Sequence, residues 1–121
     1  MSRYAQGTRF EHKVRDVLTE NGYEVVRAAG SKGSSKVDLI AFKPGELLFI
    51  QCKRTGLIGP SEWNKVVEVA SWVGALPLVA SNGHLGRGVV FDLLLAPKVP
   101  RSRHRPSRRW FVDQLAQEVA A

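Results

Sequence analysis

Two short apolar runs, Val37 to Phe42 and Leu47 to Lys53, flank the tetrapeptide Lys43-Pro44-Gly45-Glu46, and no other feature constrains the fold as tightly. Proline presets φ at the second turn position and glycine accepts a positive φ at the third, so a type II turn joining an antiparallel hairpin is expected. Side chains alternate along the second run, placing Leu47, Phe49, Gln51 and Lys53 on one face and Leu48, Ile50 and Cys52 on the other. Two polar groups therefore end an apolar face. The hairpin brings them beside Asp38, which opens the first run behind a Gly/Ser loop. Taken alone, this spacing also fits a lysine that merely reaches solvent from the end of a buried strand.

The remaining pattern alternates helix and strand. Phe10, Val14, Val17 and Leu18 recur at helical spacing ahead of Asn21-Gly22, which predicts a first helix from about Arg3 to Glu20. Tyr23 to Ala28 reads as a strand. Pro60-Ser61-Glu62 opens a second helix carrying Trp63, Val66, Val67, Ala70 and Val73, and Gly74 is placed to end it. Leu76 to Ala80 and Gly88 to Leu95 add two strands, separated by a polar loop that includes His84. This order predicts an α/β domain over residues 1–96, a mixed central sheet flanked by helices. Pro97, Pro100 and Pro106 punctuate the chain beyond this domain, so 97–109 is expected to be a linker or arm without regular structure. Trp110, Phe111, Leu115 and Val119 would form the stripe of a short amphipathic helix over 110–121, which must dock to be stable.

Charge narrows the partners. The formal +7 is concentrated in residues 98 to 109, where Lys98, Arg101, Arg103, Arg105, Arg108 and Arg109 occur without an acid; residues 1 to 97 contribute +3 and the last stretch −2. Such a balance favours a polyanion, nucleic acid above all, although a cationic segment can also be a solvated arm. The longest apolar runs are too short to cross a bilayer and the amino terminus has no apolar stretch, so no membrane association and a cytoplasmic setting are expected. In a phage-encoded protein that setting would be the host cytoplasm. Cys52 is the only cysteine, which excludes an intrachain disulfide and a cysteine-rich zinc site. His12, His84 and His104 show no metal-ligand spacing.

Glu11 sits on the first helix at the margin of its core-facing stripe, with Gly7 one turn earlier on the same side. By itself it reads as a surface glutamate. Together, Glu11, the segment Arg27-Ala28-Ala29-Gly30-Ser31, Asp38-Leu39-Ile40-Ala41 and Gln51-Cys52-Lys53 resemble the archaeal-type Holliday-junction resolvases of the PD-(D/E)XK nuclease superfamily, over Tyr4 to about Leu95. The resemblance implies a restriction-endonuclease-like core and phosphodiester hydrolysis with Mg2+, Mn2+ substituting, by a homodimer that cuts four-way DNA junctions symmetrically. It assigns catalytic roles to Glu11, Ser31, Asp38, Gln51 and Lys53. Asp38, the Gln51 amide oxygen and the Cys52 backbone carbonyl would be the oxygen ligands that a hard cation prefers, with Glu11 adding a ligand or holding a metal-bound water. Lys53 would orient the attacking water, and Ser31 would contact the phosphate or metal unless its hydroxyl only serves a turn. Expected DNA contacts are Arg9, Arg27, Lys32, Lys36 and Arg54 in the domain and Arg101, Arg103, Arg105, Arg108 and Arg109 in the arm.

The departure is Gln51, where these resolvases usually carry glutamate, while Gln-x-Lys is also found in Mrr-like restriction nucleases. The amide keeps an oxygen but loses a negative charge. Glu62 or Glu68 of the second helix could supply an acid in compensation, though both read more readily as surface residues. Three functions stay open: a junction resolvase, an Mrr-like or nicking nuclease acting on duplex, and a DNA-binding module that does not cut. A dimer is further suggested by Trp63, Trp72, Trp110, Phe111, Leu115 and Val119, more apolar surface than so small a core readily encloses.

Overall fold

A computed structural model describes residues 3–28, 37–83, 86 and 88–113. The elements are α1 (Arg3–Glu20), β1 (Glu24–Arg27), β2 (Leu39–Lys43), β3 (Glu46–Cys52), α2 (Pro60–Val73), β4 (Leu76–Ser81), β5 (Val90–Leu94) and β6 (Ser107–Trp110). They form one six-stranded sheet in sequential order, antiparallel throughout except between β3 and β4, which α2 joins in parallel. The expected mixed sheet with flanking helices is thus the observed one.

Local chemistry accounts for the boundaries. Gly45 takes φ +81 in the β2–β3 turn, the positive value its position requires, and fixes the register Lys43–Glu46 to Leu39–Ile50. Gly74 takes φ +69 at the end of α2, where the Ala75 amide closes back onto the Ala70 carbonyl at 2.9 Å. Pro60 occupies the first turn of α2, where its missing N–H leaves no bond unmade.

The sheet has a buried cluster on each side. Phe10, Val14 and Leu18 of α1 pack on Leu39, Ala41, Leu48, Ile50, Leu78, Ala80 and Phe91. On the other side Trp63 and Val66 of α2 pack with Ile58, Val79 and Leu94. Alternation along β3 sends Leu48 and Ile50 to the α1 side and therefore Gln51 to the α2 side. The two helices consequently address the same strand end from opposite faces.

Two expectations fail. Residues 107–110 are not part of an unstructured arm but an edge strand, antiparallel to β5, with Arg109 ion-paired to Asp92 at 3.1 Å. Trp110 is not on a tail helix: it is buried in the α1-side cluster, edge-on to Phe91 at 5.6 Å between ring centroids. Arginine and proline disguised a strand that contributes one large side chain to the core. The stretch before it is also anchored, since the buried Lys98 ammonium donates to the Ser102 carbonyl at 2.6 Å and Arg105 lies 5.1 Å from the Trp63 ring centroid. The remainder of the expected C-terminal helix, 114–121, lies outside the described residues, as does His84.

Candidate active site

Asp38 stands one residue beyond the Leu39–Ile50 pair, where the β2–β3 ladder ends. Its backbone is fixed on both sides: its amide donates to the Ile50 carbonyl and its carbonyl accepts from the Ala28 amide, each at 3.0 Å. The carboxylate then continues the ladder in place of backbone, with Oδ2 accepting the Cys52 amide at 2.8 Å. The expected juxtaposition of Asp38 with Gln51-Cys52-Lys53 is therefore present. Lys53 is held by its own amide, which donates to the Ala80 carbonyl at 2.9 Å.

Charge gathers around Asp38 from both faces of the sheet. Burial raises its pKa above the ordinary carboxylate value; the Cys52 N–H opposes the rise, the Glu11 carboxylate adds to it, Lys53 opposes it, and Glu62 adds again. A carboxylate desolvated between two others is a place where a cation is favoured. The Cys52 thiol is pushed well above its usual range, by burial first and then by Asp38 and Glu11, so it stays neutral.

Glu11 and Arg27 are found together on the α1 side, at 2.6 Å, each about a quarter exposed. Glu11 thus meets Asp38 through its field, and its direct partner is an arginine expected to touch DNA. Across the sheet Glu62, in the first turn of α2, reaches two predicted site residues. Its Oε2 lies 2.6 Å from the Lys53 ammonium and accepts the Gln51 Nε2 donor at 3.3 Å. With the amide nitrogen turned to Glu62, the opposite atom, Gln51 Oε1, is buried with no hydrogen-bond partner among the described residues. Glu68 faces away and pairs with Lys65 at 3.5 Å on an exposed surface.

Glu62 was under-read in the sequence because an acid in a first helical turn ordinarily serves its own helix. Lys13 was not among the expected contacts. It lines an open cleft of about 330 Å³ with Gln6, Arg9, Phe10, Arg54 and Asn82. Arg9 and Arg54, expected as DNA contacts, therefore converge, and Arg54 directly follows Lys53. Arg101, Arg103 and Arg108 are exposed, whereas Arg105 donates to the Gly56 carbonyl at 3.3 Å and Arg109 is paired with Asp92. Ser31, Lys32 and Lys36 lie outside the described residues.

Among the described residues, no three His, Cys, Asp or Glu side chains form a cluster able to hold a metal ion. The donors present are a mixed set: one carboxylate at Asp38 and an unpartnered buried amide oxygen at Gln51, with Glu62 anchored to that amide. That set fits a hard divalent cation, which takes carboxylate and amide oxygens alike.

The mixed six-stranded sheet with its two flanking helices is that of a restriction-endonuclease-like fold. More narrowly, the chain belongs to the archaeal Holliday junction resolvase (Hjc) family, whose model matches residues 2–91. It is 34% identical over 82 residues to the crossover junction endodeoxyribonuclease Hjc of Methanocaldococcus jannaschii, a match covering 64% of this chain and 59% of that protein. The match thus spans less than two thirds of that relative's length. Its structure resembles that of Archaeoglobus fulgidus Hjc, a Holliday junction resolvase, with a TM-score of 0.59, 28% identity, and coverage of 69% of this chain and 72% of the other. No helix among the described residues is long and apolar enough to cross a membrane.

Proposed function

We propose that this protein hydrolyses phosphodiesters of four-way DNA junctions, using Mg2+ or Mn2+, as a homodimer that makes paired cuts. The observation that carries the reading is the end of the β2–β3 hairpin, where Asp38 is desolvated beside Lys53 and the unpartnered amide oxygen of Gln51. The names of the M. jannaschii and A. fulgidus relatives supply the substrate. Asp38 and Gln51 Oε1 would hold the cation together with the Cys52 carbonyl. When bound, the metal lowers the pKa of water and offsets charge on the phosphate. Lys53, a compact charge with three donors, orients the attacking water and meets the phosphate. Arg27 keeps Glu11 in place beside the site.

Arg9, Lys13 and Arg54 offer a cationic cleft on the α1 side of the same strand end for the strand being cut, and Arg101, Arg103 and Arg108 offer exposed charge for a second arm of the junction. Replacing those last three by Gln should flatten the salt dependence of junction binding by up to about three log–log units. An unaltered slope would remove them from the interface.

The case for a dimer rests on a smaller surface than the sequence suggested. Trp63 is buried and donates to the Ala96 carbonyl at 2.8 Å, and Trp110 is buried too, while Trp72 is exposed, as are Val73 and Leu76 a few residues on. The neutral Gln51 and the Lys53–Glu62 pair favour one rival, a module that binds junctions without cutting. Labelled four-way junction and matched linear duplex, incubated with and without Mg2+, separate the readings. Symmetric Mg2+-dependent cuts in the junction alone are expected, with a dimer mass by light scattering. Binding without cleavage establishes the module, and equal cutting of duplex establishes a general nuclease.

A further inference from the structure

We propose that Glu62 is the second acid of the metal site, supplying the full negative charge that the neutral amide at position 51 does not. The inference rests on the metal-dependent reading of the Asp38 site and adds a residue on a different element. Its basis is a single side chain that leaves its own helix to touch both residues at the end of β3: Glu62 Oε2 is 2.6 Å from Lys53 Nζ and 3.3 Å from Gln51 Nε2.

The contact with Gln51 decides which end of the amide faces inward. A carboxylate attracts the NH2 group and repels the carbonyl oxygen, so Glu62 turns Oε1 to the buried side, where none of the described residues donates to it. A buried acceptor left this way is destabilising unless something electropositive meets it. Glu62 thus keeps in place an oxygen aimed for a cation.

Charge count points the same way. Asp38 brings one negative charge, Gln51 none, and Glu11 is matched on the α1 side by Arg27. Glu62 is matched by Lys53, yet that ion pair is open to solvent, with the two side chains 30% and 45% exposed. An ion pair in that setting is weak, and a lysine holds its partner through one of three donors, so Lys53 can turn to a phosphate while Glu62 turns to the metal.

The test is Mn2+ affinity of the full chain, measured by calorimetry in the absence of DNA, for Glu62→Gln, Gln51→Glu, the double variant, Asp38→Asn and Glu68→Gln. Glu68 is the control, an exposed acid on the same helix engaged with Lys65. Glu62→Gln should weaken Mn2+ binding about ten- to a hundredfold, the range for groups that position or assist ligands. Glu68→Gln should change it less than about twofold, as a distant screened charge does. Adding Gln51→Glu to Glu62→Gln should restore most of the loss, because the site then regains its second charge. Equal affinities for Glu62→Gln and Glu68→Gln overturn the proposal, and so does a loss that Gln51→Glu does not repair. Asp38→Asn separates the two levels of inference. If it abolishes Mn2+ binding while Glu62→Gln does not, only the role of Glu62 fails; if it too has no effect, the metal site itself is refuted.

Discussion

The β2–β3 hairpin ends differently at its turn and at its open side. At the turn, Tyr23 donates its hydroxyl to Glu46 at 3.0 Å, and Lys43 lies 3.5 Å from Glu46 and 4.3 Å above the Tyr23 ring. The Lys43 ammonium also donates to the Asn21 carbonyl at 3.4 Å. Each charge there has an opposite charge or an acceptor. The open end sets the charges of Glu11 and Glu62 on Asp38, and among the described residues leaves Gln51 Oε1 buried and unmet. One end fastens the hairpin; the other is held under electrostatic strain that the rest of the sheet must offset. Under-satisfied polar groups in a well-packed frame mark the place where an outside partner completes the structure.

Asp38→Asn should show this contrast most strongly. Cleavage is expected to fall by about a thousandfold or more, since several kcal/mol of charge stabilisation at the phosphate depend on the cation that Asp38 holds. Metal-free stability should move the other way. The folded-state pKa of Asp38 is raised, so the native protein holds that proton more tightly than the unfolded chain, and the benefit is lost as pH rises through the raised value. Above that raised value the wild type is therefore the less stable of the two, and its deficit should shrink as pH falls through it. Urea midpoints of both proteins across pH check the sign. A variant destabilised at pH 7 would mean that Asp38 fastens the fold just as the turn end does.

The hairpin was legible from sequence because its signals are local: proline and glycine at fixed turn positions and apolar alternation on either side. Helix α1 followed from Phe10, Val14 and Leu18, and the end of α2 from Gly74. Strand β6 was not legible. Only Trp110 of its four residues enters the core, and an edge strand bearing Arg108 and Arg109 resembles a solvated arm in composition while those charges keep the edge from pairing with other chains. In the site, Asp38, Gln51 and Lys53 could be placed together because one turn fixes their register. Glu62 could not, since its approach to Gln51 depends on how α2 lies across the sheet, which no short-range pattern encodes. The pairing of Glu11 with Arg27 was hidden in the same way, by packing between α1 and β1.

Gln51→Glu sharpens the comparison at a smaller scale. It sets a new carboxylate beside Glu62, where the present amide donates at 3.3 Å, so the metal-free protein should lose stability. Added Mg2+ should restore it, and the concentration for half-maximal cleavage should fall severalfold as ligand charge rises. An unchanged or higher requirement would place the Gln51 side chain away from the cation.

Tyr23→Phe is expected to have the smallest effect and makes the counterpart at the turn. It removes one buried hydroxyl that donates to the Glu46 carboxylate while leaving the ring beneath Lys43, so only the hydrogen bond is lost. The expected cost is about 1–2 kcal/mol of unfolding free energy, because Glu46 keeps Lys43 as a partner and its other contacts with water. Mn2+ affinity and the cleavage rate should not change, since the turn lies at the far end of both strands from Asp38 and Gln51. A fall in metal affinity would show that the two ends are mechanically coupled through the register of the hairpin. In that case the strain at Asp38 would be set by the turn as well as by the helices that converge on it.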